Sequence, residues 1–252
     1  MKNIKKIIFL FLIVNTLVFS QALITKMQEG NDAYQNKNYQ EAIKNYESIL
    51  NQGYLSTDLF YNLGNSYFKA GKIGKSILYY EKSLKVSPTN EDAEYNLQIA
   101  RARTVDRIQE IPPLFFFKWW ESLLAAFTSE GWQIIVFIFY MLLLTSVAVY
   151  FLIRNMQIKK YSYIFGILNL GALVLSSVLL FASISRESSK DFAILMTSTA
   201  NVKISPDQQS EDAFVIHEGI KFKIEEQVKN WVKIKLSDGK VGWLPKNTFE
   251  II

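Results

Sequence analysis

The two longest stretches of this sequence without a charged residue are Gly131 to Ile153 and Tyr161 to Ser185. At about 1.5 Å per helical residue, the shorter one reaches about 34 Å, enough to cross the hydrocarbon core of a bilayer. A core helix of a water-soluble domain keeps a polar stripe, whereas a helix apolar on every face suits lipid. The sequence therefore predicts transmembrane helices over 131–153 and 161–185. The intervening segment 154–160 carries Arg154, Lys159 and Lys160 and no acid, the composition of a short loop retained in the cytoplasm. Residues 1–20 begin Met-Lys-Asn-Ile-Lys-Lys and continue mostly apolar from Ile7 to Phe19, with small residues at Ser20 and Ala22, which reads as a signal peptide. Cleavage after Ser20 or after Ala22 would fit; the alternative is an uncleaved N-terminal anchor. Either places the next segment outside the cytoplasm, and two crossings return 186–252 to the same side.

Charge and composition exclude several functions. The formal charge is +5, yet residues 21–110 carry 11 positives against 11 negatives and residues 161–252 carry 10 against 10. The excess sits at the basic start and around 154–160, so no nucleic-acid groove is expected. With no Cys and one His, disulfides, thiol catalysis, Cys-ligated zinc and a Ser-His-Asp triad are not expected. The chain reads as a non-enzyme without cofactor or metal. His217 reads as a turn residue.

Between the signal and the first apolar run lies an internal repeat. Glu29-Gly30-Asn31-Asp-Ala-Tyr34 aligns with Leu63-Gly64-Asn65-Ser-Tyr67-Phe68, glycine on glycine and asparagine on asparagine. At the offset that carries Gly30 onto Gly64, Ile43, Tyr46, Glu47 and Leu50 meet Ile77, Tyr80, Glu81 and Leu84, and Ala42 meets Ser76. These positions resemble the tetratricopeptide repeat, with Phe60, Leu63, Gly64, Tyr67, Tyr80 and Pro88 at hallmark places. The first unit departs from the pattern at Glu29 and lacks a closing proline. Glycines 30 and 64 would let paired helices approach, with Ala42 and Ser76 filling the crossing. The expected array covers 21–107, with units at 23–56 and 57–90. A capping helix is expected over 91–107, since Leu97 follows Leu63 by the same offset.

Stacked repeats present a groove lined by their first helices. Asn31, Tyr34, Tyr61, Asn65, Phe68 and Tyr95 are the candidate partner-binding residues, alongside Met27 and Asp92. A carboxamide offers donor and acceptor to an extended peptide backbone; the competing reading has Asn31 and Asn65 hydrogen-bonded within their own helix pairs. Met27 and Asp92 stand where carboxylate-clamp repeats carry lysine, so a C-terminal carboxylate is not the expected ligand. Gly71-Lys-Ile-Gly-Lys-Ser76 imitates the end of a phosphate loop, but Lys69 stands where that motif needs its first glycine, and nucleotide binding is not expected.

From Phe192 the apolar period becomes two. Strands are expected at 192–196, 200–204, 213–216, 221–225, 231–236 and 241–244, with Asp238-Gly239 as a hairpin turn. The order Val202-Lys203, Gly219, Trp231-Val-Lys-Ile, Asp238-Gly239 and Gly242-Trp243 resembles bacterial SH3-like domains, and 186–252 is assigned to one. Trp231 is read as core and Trp243 as a candidate surface residue. Residues 108–130, rich in aromatics after Pro112-Pro113, read as an interfacial helix with Trp119, Trp120 and Trp132 at headgroup depth, or alternatively as a core helix of the preceding domain.

The expected fold is thus multidomain: an all-α repeat solenoid, two transmembrane helices and a small all-β barrel. In this order the chain resembles BatE-type proteins of the Bacteroides aerotolerance system, on Glu-Gly-Asn-Asp-Ala-Tyr, Leu-Gly-Asn-Ser-Tyr and Asp-Gly-Lys-Val-Gly-Trp. The resemblance implies an inner-membrane scaffold with both domains in the periplasm, von Willebrand A-type membrane partners and a MoxR-type ATPase. A second reading makes the barrel a peptidoglycan-binding envelope sensor.

Overall fold

The computed structural model describes residues 22–108, 112 and 114–252; the expected signal peptide lies outside the described residues. These form two compact units. One gathers residues up to Leu84, Asn90 onward to 108, and Lys190–Ile252; the other holds Lys85–Thr89 and the described residues between 112 and Ser189.

The first unit opens with five helices: α1 over 22–35, α2 Tyr39–Leu50, α3 Thr57–Lys69, α4 Ile73–Val86 and α5 Glu91–Arg101. Local chemistry sets their ends. The Ser56 hydroxyl accepts from Leu59 N at 3.2 Å and the Asn90 carboxamide from Ala93 N at 3.0 Å, each satisfying an orphan donor of the first turn. Helices pair as α1–α2 and α3–α4, and the glycines show why they are glycines. A Cβ on Gly30 would lie 2.4 Å from the Tyr46 ring, and one on Gly64 2.5 Å from the Tyr80 ring. Ala42 and Ser76 are fully buried at the crossings, and Ser76 Oγ donates to Gly64 O at 2.9 Å. The decoy phosphate motif is thereby a helix–helix turn followed by a buried structural serine. Helix α5 stops at Arg101 rather than 107, because the chain turns at Ala102 and Arg103 and runs irregularly through 108.

The same unit contains a seven-stranded antiparallel sheet, ordered β3-β2-β6-β5-β4-β1-β7. The strands are β1 Phe192–Leu195, β2 Thr199–Lys203, β3 Asp212–His217, β4 Lys221–Val228, β5 Trp231–Lys235, β6 Val241–Pro245 and β7 Phe249–Ile251. Ala193, Leu195, Val202, Ile216, Phe222, Val232, Ile234 and Leu244 form its core. Trp231 is excluded from that core: alternation places Val232 and Ile234 inward, leaving Trp231 half-buried on the opposite face.

The second unit has α6 Phe115–Ala125, α7 Ser129–Leu152 and α8 Met156–Ser188. Helices α7 and α8 are long and apolar enough to cross a membrane. The loop between them shortens from the expected 154–160 to 153–155, because the Asn155 side chain caps α8 by accepting from Gln157 N at 2.9 Å; Lys159 and Lys160 therefore stand on the first turns of α8. At the α7–α8 crossing Ser162 Oγ donates to Ser146 O at 2.6 Å, beside Gly166. Small residues permit that close approach, and Ser162, Asn169, Ser176 and Ser183, spaced by seven, are the buried stripe of α8. Trp132 is turned inward rather than left on the surface. It is only 5% exposed, its Nε1 donates to Leu124 O at 3.2 Å, and with Leu124 and Leu179 it fastens α6 to the helix pair. Trp119 is exposed and Trp120 packs on the edge of that cluster.

Candidate functional site

A polar triplet recurs at the repeat period along the first helices of the array. Tyr46 Oη donates to Asn31 Oδ1 at 2.7 Å, and Asn62 Nδ2 donates to the same oxygen at 3.3 Å. One repeat later Tyr80 Oη donates to Asn65 Oδ1 at 2.6 Å, and Asn96 Nδ2 donates to that oxygen at 3.1 Å. Each carboxamide oxygen is thus spent on structure, linking a repeat's own helix pair to the first helix of the next. The Nδ2 groups of Asn31 and Asn65 have no partner among the described residues, so a row of amide donors is left at one-repeat spacing.

The aromatic candidates separate. Tyr95 is 66% exposed, while Tyr61 is half-buried, accepts from Asn96 Nδ2 at 3.1 Å and leans on the Tyr80 ring. Tyr34 packs edge-on against Tyr39 with centroids 5.5 Å apart. Phe68 is covered, because the Arg103 guanidinium lies 4.4 Å from its ring centroid. The open part of the face is therefore Tyr61, Asn65 and Tyr95, with Asn31 beside them. The buried phenols beneath are strongly held neutral: burial and then the Tyr34 charge push Tyr46 up to about 12, and burial and the nearby Tyr61 push Tyr80 up.

A second recurring device lies between repeats. Tyr67 Oη donates to Glu47, and Arg101, one repeat after Tyr67, donates to Glu81 at 2.6 Å. Glu81 is only 6% exposed and also accepts from Lys221 of the barrel at 2.7 Å. That shared carboxylate is one of several polar links between barrel and repeats. Glu218 Oε1 accepts from Gly74 N at 2.8 Å on the first turn of α4, and Lys75 Nζ donates to Glu250 at 2.9 Å. Asp106 accepts from His217 N at 2.7 Å and faces His217 Nδ1 at 2.9 Å. His217 is consequently the last residue of β3, held by an acid more than a hundred positions earlier, and not a free turn residue. Beneath these links Ile194 of β1 enters the apolar cluster of Ile77, Leu78, Tyr80, Leu97 and Ala100.

On the barrel's outer face Trp243 is half-buried and stands in register between Lys203 and Lys233. Lys203 is engaged there by Asp212 at 2.7 Å. Among the described residues no three metal-ligating side chains gather.

Residues 57–90 match the family described as tetratricopeptide repeat, and residues 198–250 match the bacterial SH3 domain. The chain carries both modules. Two curated proteins are similar over part of it. The intraflagellar transport protein 88 homolog of Homo sapiens is 34% identical over 100 residues, 38% of this chain and 12% of that one. Sperm-associated antigen 1 of Rattus norvegicus is 30% identical over 74 residues, 29% of this chain and 8% of that one. The chain thus spans about a tenth of the length of either. Strand β1 precedes the residues matched to the SH3 domain, so the strand that seats the barrel on the repeats lies outside that match.

The linking residues Asn62, Asn96, Asp106, Glu218 and Ile194 were not singled out from the sequence. Asn62 and Asn96 carried a usable signal, since they repeat at the same offset as Asn31 and Asn65. Asp106 and Glu218 carried none, because they act on residues distant in the chain.

Proposed function

We propose that the chain is a non-enzymatic, membrane-anchored adaptor whose repeats and barrel act as one composite platform outside the cytoplasm. The observation that carries this reading is the first-helix face of the repeats, where Tyr61 and Tyr95 flank the Asn65 amide donors, whose oxygen is taken by Tyr80 and Asn96. Such a face suits an extended segment of a protein partner, apolar side chains against the tyrosines and backbone carbonyls on the amides. Two apolar helices with a basic connection support anchoring with residues 153–160 on the cytoplasmic side. The order of modules supports membership of the BatE type in the bacterial inner membrane, with von Willebrand A-type proteins and a MoxR-type ATPase system as partners.

The test uses the full chain purified in mild detergent from its native membranes. Tyr61→Ala with Tyr95→Ala is expected to reduce co-purifying membrane proteins about tenfold, the loss of one modest hot spot, with unchanged circular dichroism. Retention of every partner by this variant would overturn the reading. Deleting the repeats is a poor test, because Ile194 of the barrel loses its cover with them.

A second reading rests on Trp243, aligned between two lysines on the outer face of the barrel. There the barrel binds peptidoglycan. Retention of the full chain on purified cell wall, lost in Trp243→Ala, supports it; no retention removes it.

A further inference from the structure

The crossing of α7 and α8 leaves two clefts on either side of Ser146 and Ser162, both opening near the helix connection. The larger has a volume of about 480 Å³ and runs from Ile158 and Tyr161 to Leu142 and Leu168; the smaller, about 270 Å³, is bounded by Tyr150 and Tyr163. Their walls are almost wholly apolar, since the serine hydroxyls are turned to backbone carbonyls: Ser162 to Ser146 O and Ser146 to Leu142 O at 2.8 Å. A volume of this size is ordinary for a small-ligand site, but the open apolar shape admits a flexible chain and not a polar one.

Charge gathers at the same end. Arg154, Lys159 and Lys160 fall within 154–160 with no acid among them, and the nearest acids in sequence are Glu130 and Glu187, at the far ends of α7 and α8. Arg154 and Lys160 are exposed and make no ion pair among the described residues. Lys159 Nζ stands 5.6 Å from the Tyr150 ring centroid, and Tyr150 lies 6.3 Å from Tyr163, so this cation sits at the mouth of the smaller cleft. A cationic rim over an apolar furrow is complementary to one class of molecule, an anion carrying a long hydrocarbon tail.

We infer that this hairpin is a binding site for an anionic phospholipid, its phosphate among Arg154, Lys159 and Lys160 and an acyl chain along the larger cleft. The inference rests on the membrane reading of α7 and α8. It differs from general surface attraction because the cleft fixes a single lipid beside the charges. Each basic residue contributes about a fivefold preference for anionic headgroups, so removing three lowers that preference about a hundredfold.

The experiment incubates the full-length protein in mild detergent with equal phosphatidylglycerol and phosphatidylcholine and weighs the bound lipid by native mass spectrometry. The expected result is one retained phosphatidylglycerol in clear preference to phosphatidylcholine. In R154Q/K159Q/K160Q the preference disappears. Thr145→Phe, which fills the larger cleft without touching the Ser162–Ser146 bond, loses both lipids while leaving the charges in place. Equal retention of the two lipids, an unaltered preference in the triple variant, or a second copy of the chain in place of lipid would each overturn the inference. Release of the chain from membranes by alkaline carbonate is a separate outcome, which overturns the membrane reading itself.

Discussion

At the scale of single residues, the repeats depend on places where no atom can be added and places where no charge can be removed. Gly64→Ala would set a methyl 2.5 Å from the Tyr80 ring, so the expected cost is about 2–3 kcal/mol, read as a lowered melting temperature of the unit formed by repeats and barrel. Gly171→Ala is the control, because a Cβ there meets nothing within 4 Å. Glu81→Ala removes the acceptor shared by Arg101 and Lys221. Those cations keep 38% and 32% of their side chains in water and can rehydrate, so the expected loss is about 2 kcal/mol and not the larger cost of an orphaned buried charge. A double-mutant cycle of Glu81→Ala with Lys221→Ala should show coupling above about 0.5 kcal/mol; strict additivity would deny the link. The glycines were legible from the sequence because their spacing is a local property of two paired helices. Asn31 and Asn65 were legible as special positions but their oxygens were not, since the same carboxamide can face a ligand or its own tyrosine with one sequence signature.

At the scale of elements, helices and most strands follow from period, and their ends follow from caps. The exceptions are informative. Strand β7 spans only Phe249–Ile251, too short for alternation to declare itself, and exists because β1 offers it an edge at Ala193 to Leu195. Trp132 is of the residue type that favours headgroups, yet the turn between α6 and α7 folds it inward, where its Nε1–H donates to Leu124 O. Strand β1 gives Ala193 and Leu195 to the barrel core and Ile194, on its other face, to the repeats. A continuous apolar tetrapeptide reads simply as a buried strand; that its two faces serve two different cores is a tertiary fact. Ile194→Ala should therefore cost about 2–5 kcal/mol. Amide hydrogen exchange should show α4, α5 and the barrel losing protection together in that variant. Exchange confined to the barrel would refute the shared core.

At the scale of the whole molecule, the sequence reads the repeats and the barrel as separate modules, and the structure joins them into one unit through links between residues more than a hundred positions apart. Cooperative alkaline unfolding is the corresponding expectation. Tyr46 and Tyr79 are each raised to about 12 from an ordinary 10, with Tyr67 and Tyr80 also raised, all chiefly by burial. The folded state holds protons that the unfolded chain releases, so this stability is complete below about pH 10 and disappears as pH climbs through 12. The last rise of tyrosinate absorbance, that of the buried phenols, should coincide with the loss of circular dichroism of this unit. Ionisation of Tyr46 and Tyr79 with the helices still intact would count against it.

That joining has a consequence for biogenesis. The ribosome makes the repeats first, then the two apolar helices, and only afterwards the strand bearing Ile194. Until that strand emerges, Ile77, Leu97 and Ala100 wait without their final cover, so a chain arrested anywhere before residue 192 is a natural target for quality-control proteases.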